Sequence, residues 1–138
     1  LNAEPPIRHL RPYRCTSADI RLRRALKIER GVACEACTHS FALEQLSVHH
    51  ILEARIYPEF AREPLNMIVL CSSCHSSVTA AERFAASVVM HFYSALPAAV
   101  RQRHLPFLTG RASDALCSAF QFGDEWFWND RAVDDLTR

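Results

Sequence analysis

The chain has 138 residues, 49% hydrophobic and 22% charged, with a formal net charge of +1. That length suits one domain with a modest core, and the balance of apolar and charged residues excludes a fibrous or disordered chain. No apolar run is long enough to cross a membrane, and residues 1–6 lack the apolar region of a signal peptide.

Residues 1–15 hold three prolines with Arg8, Arg11 and Arg14, and read as an extended basic arm. Thr16 or Ser17 can cap a helix running to about Arg30, with Gly31 as its stop. Arg23, Lys27 and Arg30 follow at spacings of four and three, so they share one helix face. Either a groove-facing helix or a plain solvated face fits them. Residues 1–33 carry eight basic side chains against Glu4, Asp19 and Glu29, which leaves +5. Such a basic end suits a polyanion such as DNA.

Residues 32–38 are expected to form a tight turn. Residues 46–51 alternate and are rich in β-branched side chains, which predicts a short strand. Residues 52–65, with Pro58 and Pro64, read as a loop holding one helical turn. Residues 67–70 are a second apolar strand. From there the period changes. Val78, Ala81, Ala85, Val88, Phe92 and Leu96 recur at helical spacing and predict one long helix that stops near Pro97.

Two or three short helices should follow, separated by Pro106, Gly110 and Gly123. Phe120, Phe122, Trp126, Phe127 and Trp128 are expected to pack on the long helix. The minority reading is a surface for a protein partner or a second copy of the chain. Residues 111–138 carry three arginines against six acids, a net −3. The expected organisation is one domain over 1–138: arm and helix at 1–33, core at 34–95, helical extension at 96–138.

Four of the six cysteines form two Cys-x-x-Cys pairs, Cys34/Cys37 and Cys71/Cys74, with 33 residues between them. A Cys-x-x-Cys turn presents two thiolates at the angle a tetrahedral zinc ion needs, and a second pair closes the cage. Four sulfur ligands leave no open position, so this zinc would be structural. A redox pair is the alternative, and two pairs argue against it. Metal-ligand thiols imply a reducing, cytoplasmic compartment. The chain opens on Leu1, and trimmed ends are expected. Cys15 and Cys117 are expected to be buried free thiols, and His9, His39, His91 and His104 to be structural.

His49 and His50 lie between the pairs, and His75 follows Cys74 directly. Neighbours on a strand point to opposite faces, so one of His49 and His50 can face a metal and the other a substrate. Asn66 lies where its amide can bond the backbone that carries the histidines, orienting His50 and fixing its tautomer. Fifteen residues separate His50 from Asn66, and eight separate Asn66 from His75.

The run Val48-His49-His50-Ile51, then Asn66, then Leu70-Cys71-Ser72-Ser73-Cys74-His75, resembles the HNH endonuclease family, of the subtype stapled by two Cys-x-x-Cys pairs. The resemblance covers residues 34–77, about a third of the chain. It implies an α+β fold, a small ββα-metal finger held by a four-cysteine zinc site with helices on either side. It implies that His49 and His75 bind a catalytic divalent cation, Mg²⁺ or Mn²⁺, that His50 is the general base, and that Asn66 positions His50. The implied reaction is hydrolysis of DNA phosphodiester bonds. Arg55 is then a candidate phosphate clamp, with a solvent-exposed arginine as the alternative. Residues 76–79 include no lysine or arginine, so further phosphate contact is expected from residues 8–30. Two rival functions remain open at this point: a non-catalytic zinc module that binds nucleic acid, and a protein-interaction domain built on the C-terminus.

Overall fold

The computed structural model describes residues 13–120. Phe122, Trp126, Phe127 and Trp128 of the aromatic cluster, the side chain of Phe120, the separator Gly123, and Arg8, His9 and Arg11 of the arm lie outside the described residues.

Helix α1 spans Ser17–Glu29. Thr16 stands before it in extended conformation. The Asp19 backbone N–H donates to Thr16 Oγ1 at 3.3 Å, and the Asp19 carboxylate accepts from the Thr16 N–H at 2.8 Å. This reciprocal box satisfies two donors that a helix start leaves open. Gly31, at φ +85°, turns the chain out of the helix in a conformation that side chains disfavour.

Strands β1 (Leu46–His50) and β2 (Met67–Cys71) pair antiparallel, from Leu46 opposite Cys71 to His50 opposite Met67. All five β2 residues are buried, so this strand reads as a continuous apolar run instead of alternating. Two short 3₁₀ turns, Pro58–Phe60 and Pro64–Asn66, break up the connection. Helix α2 (Ser72–Phe84) follows β2 without a loop, because Cys71 ends the strand and caps the helix. The result is an α+β fold with a ββα unit at its centre.

Helices α3 (Ala86–Ser94), α4 (Ala98–Thr109) and α5 (Ser113–Phe120) complete the described chain. The expected long helix is therefore two. Ala85 breaks it at φ −166° and ψ 152°. No glycine or proline marks the break, and the apolar stripe stays in phase across it, so periodicity could not reveal it. The turn lets α3 fold back and bury Val89, Met90 and Tyr93, while Phe84, at the corner, is left 80% exposed.

Pro106 does not separate helices either: it sits inside α4. Its ring removes one intrahelical donor without ending the helix. Gly110 is the separator, and a Cβ there would lie 2.6 Å from the Pro106 carbonyl oxygen. His91 and Cys15 are exposed and Cys117 is half-buried, so the expected packing roles fail for these three. His104 is fully buried, with Nδ1 2.7 Å from the Leu65 carbonyl oxygen.

A buried carboxylate links these layers. Glu35, inside the first Cys-x-x-Cys turn, accepts from the Val69 N–H at 2.6 Å and from Arg30 at 3.0 Å. Arg103 of α4 pairs with its other oxygen, and His104 Nε2 lies 3.6 Å away, too far for a full hydrogen bond. Burial alone would push the Glu35 carboxyl up. His104, Arg30 and the Val69 amide outweigh that and hold it below the usual carboxylate range. A buried charge needs such partners to persist. Among the described residues no helix is long and apolar enough to cross a membrane.

Candidate active site and metal centre

The thiol pairs converge. Cys34 and Cys37 sit in a turn closed by the Cys34 N–H on His39 O and the Thr38 N–H on Cys34 O. Val32 and Thr38 flank the turn at φ +53° and +68°, a costly conformation for β-branched residues, so the surrounding structure must hold it. Cys71 comes from the end of β2, and Cys74 from the first turn of α2.

The four Sγ atoms all lie within 4.8 Å of one another, which no other set of three or more metal-ligating side chains does among the described residues. Cys37 Sγ and Cys71 Sγ are 3.9 Å apart. A tetrahedral ion with Zn–S near 2.3 Å places its sulfurs about 3.8 Å apart, so the cage fits zinc. His39 is exposed and stays outside it.

The thiols also show what a cation would supply. At Cys34, burial pushes the pKa up, but N–H donors from Cys37, Cys71 and Ala36 outweigh it and bring the thiol down to about 7. At Cys74, burial and then the neighbouring Cys71 and Cys34 drive the pKa upward, and Cys37 is raised for similar reasons. One thiolate forms readily and penalises the next. A divalent ion removes that penalty.

The histidines occupy a separate cleft. His49, His50 and His75 line an open cavity of about 550 Å³ with Tyr13, Arg23, Glu53, Arg55, Arg83 and Glu82. The His49 and His75 rings meet edge to face at 5.3 Å between centroids. His50 turns away from them: its Nε2 lies 2.8 Å from Ala61 O, and its ring meets Tyr13 edge-on at 5.8 Å. A carbonyl oxygen only accepts, so Nε2 of His50 carries the proton and donates it. The ring's lone pair is then on Nδ1. Burial lowers the His50 pKa against the opposing pull of that hydrogen bond, and the nearby charges of Arg23 and His49 lower it further. His75 is lowered by burial and then by His49. Both shifts favour neutral imidazole near neutral pH.

Asn66 is fully buried and serves the backbone. Its Oδ1 accepts from the Leu52 N–H at 2.8 Å, and its Nδ2 donates to Leu52 O at 3.0 Å and Phe60 O at 3.1 Å. Its own carbonyl accepts from the Ile51 N–H at 2.8 Å. These bonds clamp the chain just after His50 to the loop that ends in Ala61. The tautomer of His50 is therefore set by Ala61 O, one residue past the carbonyl that Asn66 holds. Arg62, next along, makes a two-pronged pair with Asp19 at 2.7 and 3.1 Å, which fastens the same loop to α1.

The basic candidates divide. Arg23 lines the cleft and donates to the Tyr13 hydroxyl at 3.0 Å. Arg55 lines it too, with its side chain 82% exposed and paired to Glu53. Arg30 corrects the expectation of a nucleic-acid contact. Its side chain is 3% exposed, and it donates to Glu35, Met67 O and Pro64 O. Lys27 lines a neighbouring groove and donates to Leu43 O at 3.3 Å. The shared face of α1 is thus turned largely toward the protein.

Sequence reasoning missed Tyr13, Arg83 and Glu82. Glu82 had a readable signal, seven residues after His75 and so on the same helix face. Tyr13 had none, because the conformation of the arm is not periodic.

No curated protein and no solved structure matches the chain. Residues 34–81 match the family model described as HNH endonuclease. That segment holds both thiol pairs, the three cleft histidines and Asn66, and an HNH module implies a nuclease or nucleic-acid-binding function. The match at residues 34–81 makes this segment similar to the HNH endonuclease family, and its four-thiol cluster is consistent with the zinc-binding subtype.

Proposed function

We propose that the chain is a metal-dependent endonuclease that hydrolyses DNA phosphodiester bonds, with His50 as general base. The observation that carries this reading is the hydrogen bond from His50 Nε2–H to Ala61 O, which leaves Nδ1 as a base beside an open cleft. A neutral imidazole is the form that accepts a proton, and burial favours it here.

In this reading Nδ1 of His50 takes a proton from water, the water oxygen bonds to phosphorus, and the bond to the 3′-oxygen breaks, that oxygen taking a proton from solvent water. The products are a 5′-phosphate and a 3′-hydroxyl. Asn66 keeps the 50–61 backbone in place and acts through His50 as a positioning residue. Arg55 and Arg23 hold the phosphate backbone; Lys27 is a peripheral contact.

His49 and His75 are the side chains that would hold a divalent cation, Mg²⁺ or Mn²⁺. The fit is supported by His49 Nε2, a buried nitrogen with no hydrogen-bond partner among the described residues. Such a cation supplies positive charge against the negative charge that develops on the phosphate oxygens. The zinc is structural in this reading.

The test is nicking of supercoiled plasmid with Mg²⁺ or Mn²⁺. Replacing His50 with Ala is expected to slow cutting by about 10²–10⁴-fold while binding persists. An alanine variant as fast as the parent would remove His50 from the role of base. DNA binding without cleavage by the parent would favour a non-catalytic zinc-stabilised nucleic-acid module.

A further inference from the structure

Glu82 has no part in the reading above, yet its carboxylate lies against His49. Oε1 lies 2.9 Å from His49 Nε2. That nitrogen is buried, and no described group meets it with hydrogen-bond alignment, Glu82 included. A neutral imidazole nitrogen and a carboxylate oxygen this close without a proton directed between them gain nothing from each other unless a positive charge sits beside both. The separation matches two adjacent ligand atoms of an octahedral cation: donors about 2.1 Å from the ion and at right angles lie about 3.0 Å apart. Helix α2 delivers Glu82 two turns after His75, and Thr79 lines the same cleft between them.

We propose that Glu82 is a carboxylate ligand of the divalent cation that His49 and His75 hold; the proposal rests on that cation site. His49 is central to the set, with Glu82 2.9 Å from its Nε2 and the His75 ring 5.3 Å away between centroids. The three donors are not gathered as tightly as the thiols, so closing them on one ion takes side-chain movement. The carboxylate sets the class of ion. Two imidazoles alone suit Ni²⁺, Cu²⁺ or Zn²⁺, whereas an added carboxylate brings in the hard cations Mg²⁺ and Mn²⁺.

The test compares Mn²⁺ binding, read by electron paramagnetic resonance, with Ni²⁺ binding, read by calorimetry. Both use the full zinc-loaded chain, as the parent, Glu82→Gln and His49→Ala. Glu82→Gln is expected to weaken Mn²⁺ by about 30-fold or more and Ni²⁺ by less than about 5-fold, since only the hard ion depends on the carboxylate. Zinc content and melting temperature should not change, and Glu82→Asp should recover part of the Mn²⁺ affinity. Equal losses for both ions would overturn the proposal, because a carboxylate that merely orients His49 affects every ion alike. Unchanged Mn²⁺ binding in Glu82→Gln, with loss in His49→Ala, would overturn Glu82 and leave the histidine site intact. A parent that binds no Mn²⁺ would overturn both.

Discussion

The hairpin carries one donor set toward each end. Near the Leu46–Cys71 end, four sulfurs close on one point, with Cys34 and Cys71 buried. Near the His50–Met67 end, imidazoles and a carboxylate spread around an open cleft. The first arrangement suits an ion that is never released, because its ligands fill a tetrahedron. The second suits one that must also contact substrate. The contrast teaches how a small ββα unit can divide its labour: rigidity comes from the closed end, and accessibility is kept for the other.

The sharpest way to break that division is at the closed end. Cys71→Ser is expected to lose zinc and to cost about 4 kcal/mol or more, because metal binding is part of the folding free energy. An unchanged melting temperature would remove the structural role from the thiols.

Glu35→Ala comes next. It leaves Arg30 buried without its anion and should cost about 3–5 kcal/mol in chemical denaturation. The loss should appear without any change in zinc stoichiometry, since Glu35 supplies no ligand to the cage.

Asn66→Ala sharpens the comparison from the open end. Loss of three buried hydrogen bonds is expected to cost about 2–3 kcal/mol. Nicking by the remaining folded protein should fall as well, because the Phe60 carbonyl, one residue before the Ala61 carbonyl that holds His50, is no longer anchored. Zinc content should stay constant. Activity equal to the parent at full folding would separate Asn66 from the His50 geometry.

Smaller effects distinguish the arginines. Arg55→Ala should weaken DNA binding and flatten its salt dependence by about one unit of slope. Arg30→Ala should lower stability and leave the slope per folded molecule unchanged, because its guanidinium faces Glu35.

Asp19 gives the mildest signature. Burial would raise its carboxyl, but the Thr16 amide, Arg62 and the Thr16 hydroxyl together bring it from 3.8 to about 2. A depressed acid stabilises the fold above its ordinary pKa, and that contribution fades as pH falls from about 4 toward 2. Asp19→Asn should flatten that part of the stability profile, measured by urea denaturation at each pH.

The closed end was the more legible in sequence. Two Cys-x-x-Cys pairs state their chemistry through spacing alone, Thr16 and Gly31 followed from caps, and the strands from the alternation of the first and the apolar run of the second. The open end was legible in composition but not in connection. His49, His50, Asn66 and His75 were identifiable as a set, while the carbonyl that holds His50 belongs to Ala61, whose side chain carries no signal. Backbone partners depend on the path of a non-periodic loop, which residue types alone do not determine. Arg30 misled for a related reason. Its helix face was legible, but whether that face met solvent or Glu35 depended on how α1 docks. The break at Ala85 was hidden because both halves keep one hydrophobic phase.

Counting metals during catalysis tests the division of labour most directly. The zinc-loaded chain is dialysed free of Mg²⁺ and Mn²⁺, and plasmid nicking and zinc content are followed as Mn²⁺ is restored. The account predicts that cutting stops on dialysis and returns with Mn²⁺ while a single zinc per chain stays bound throughout. Full-speed cutting after dialysis, or activity that rises and falls with the zinc content instead, would contradict it.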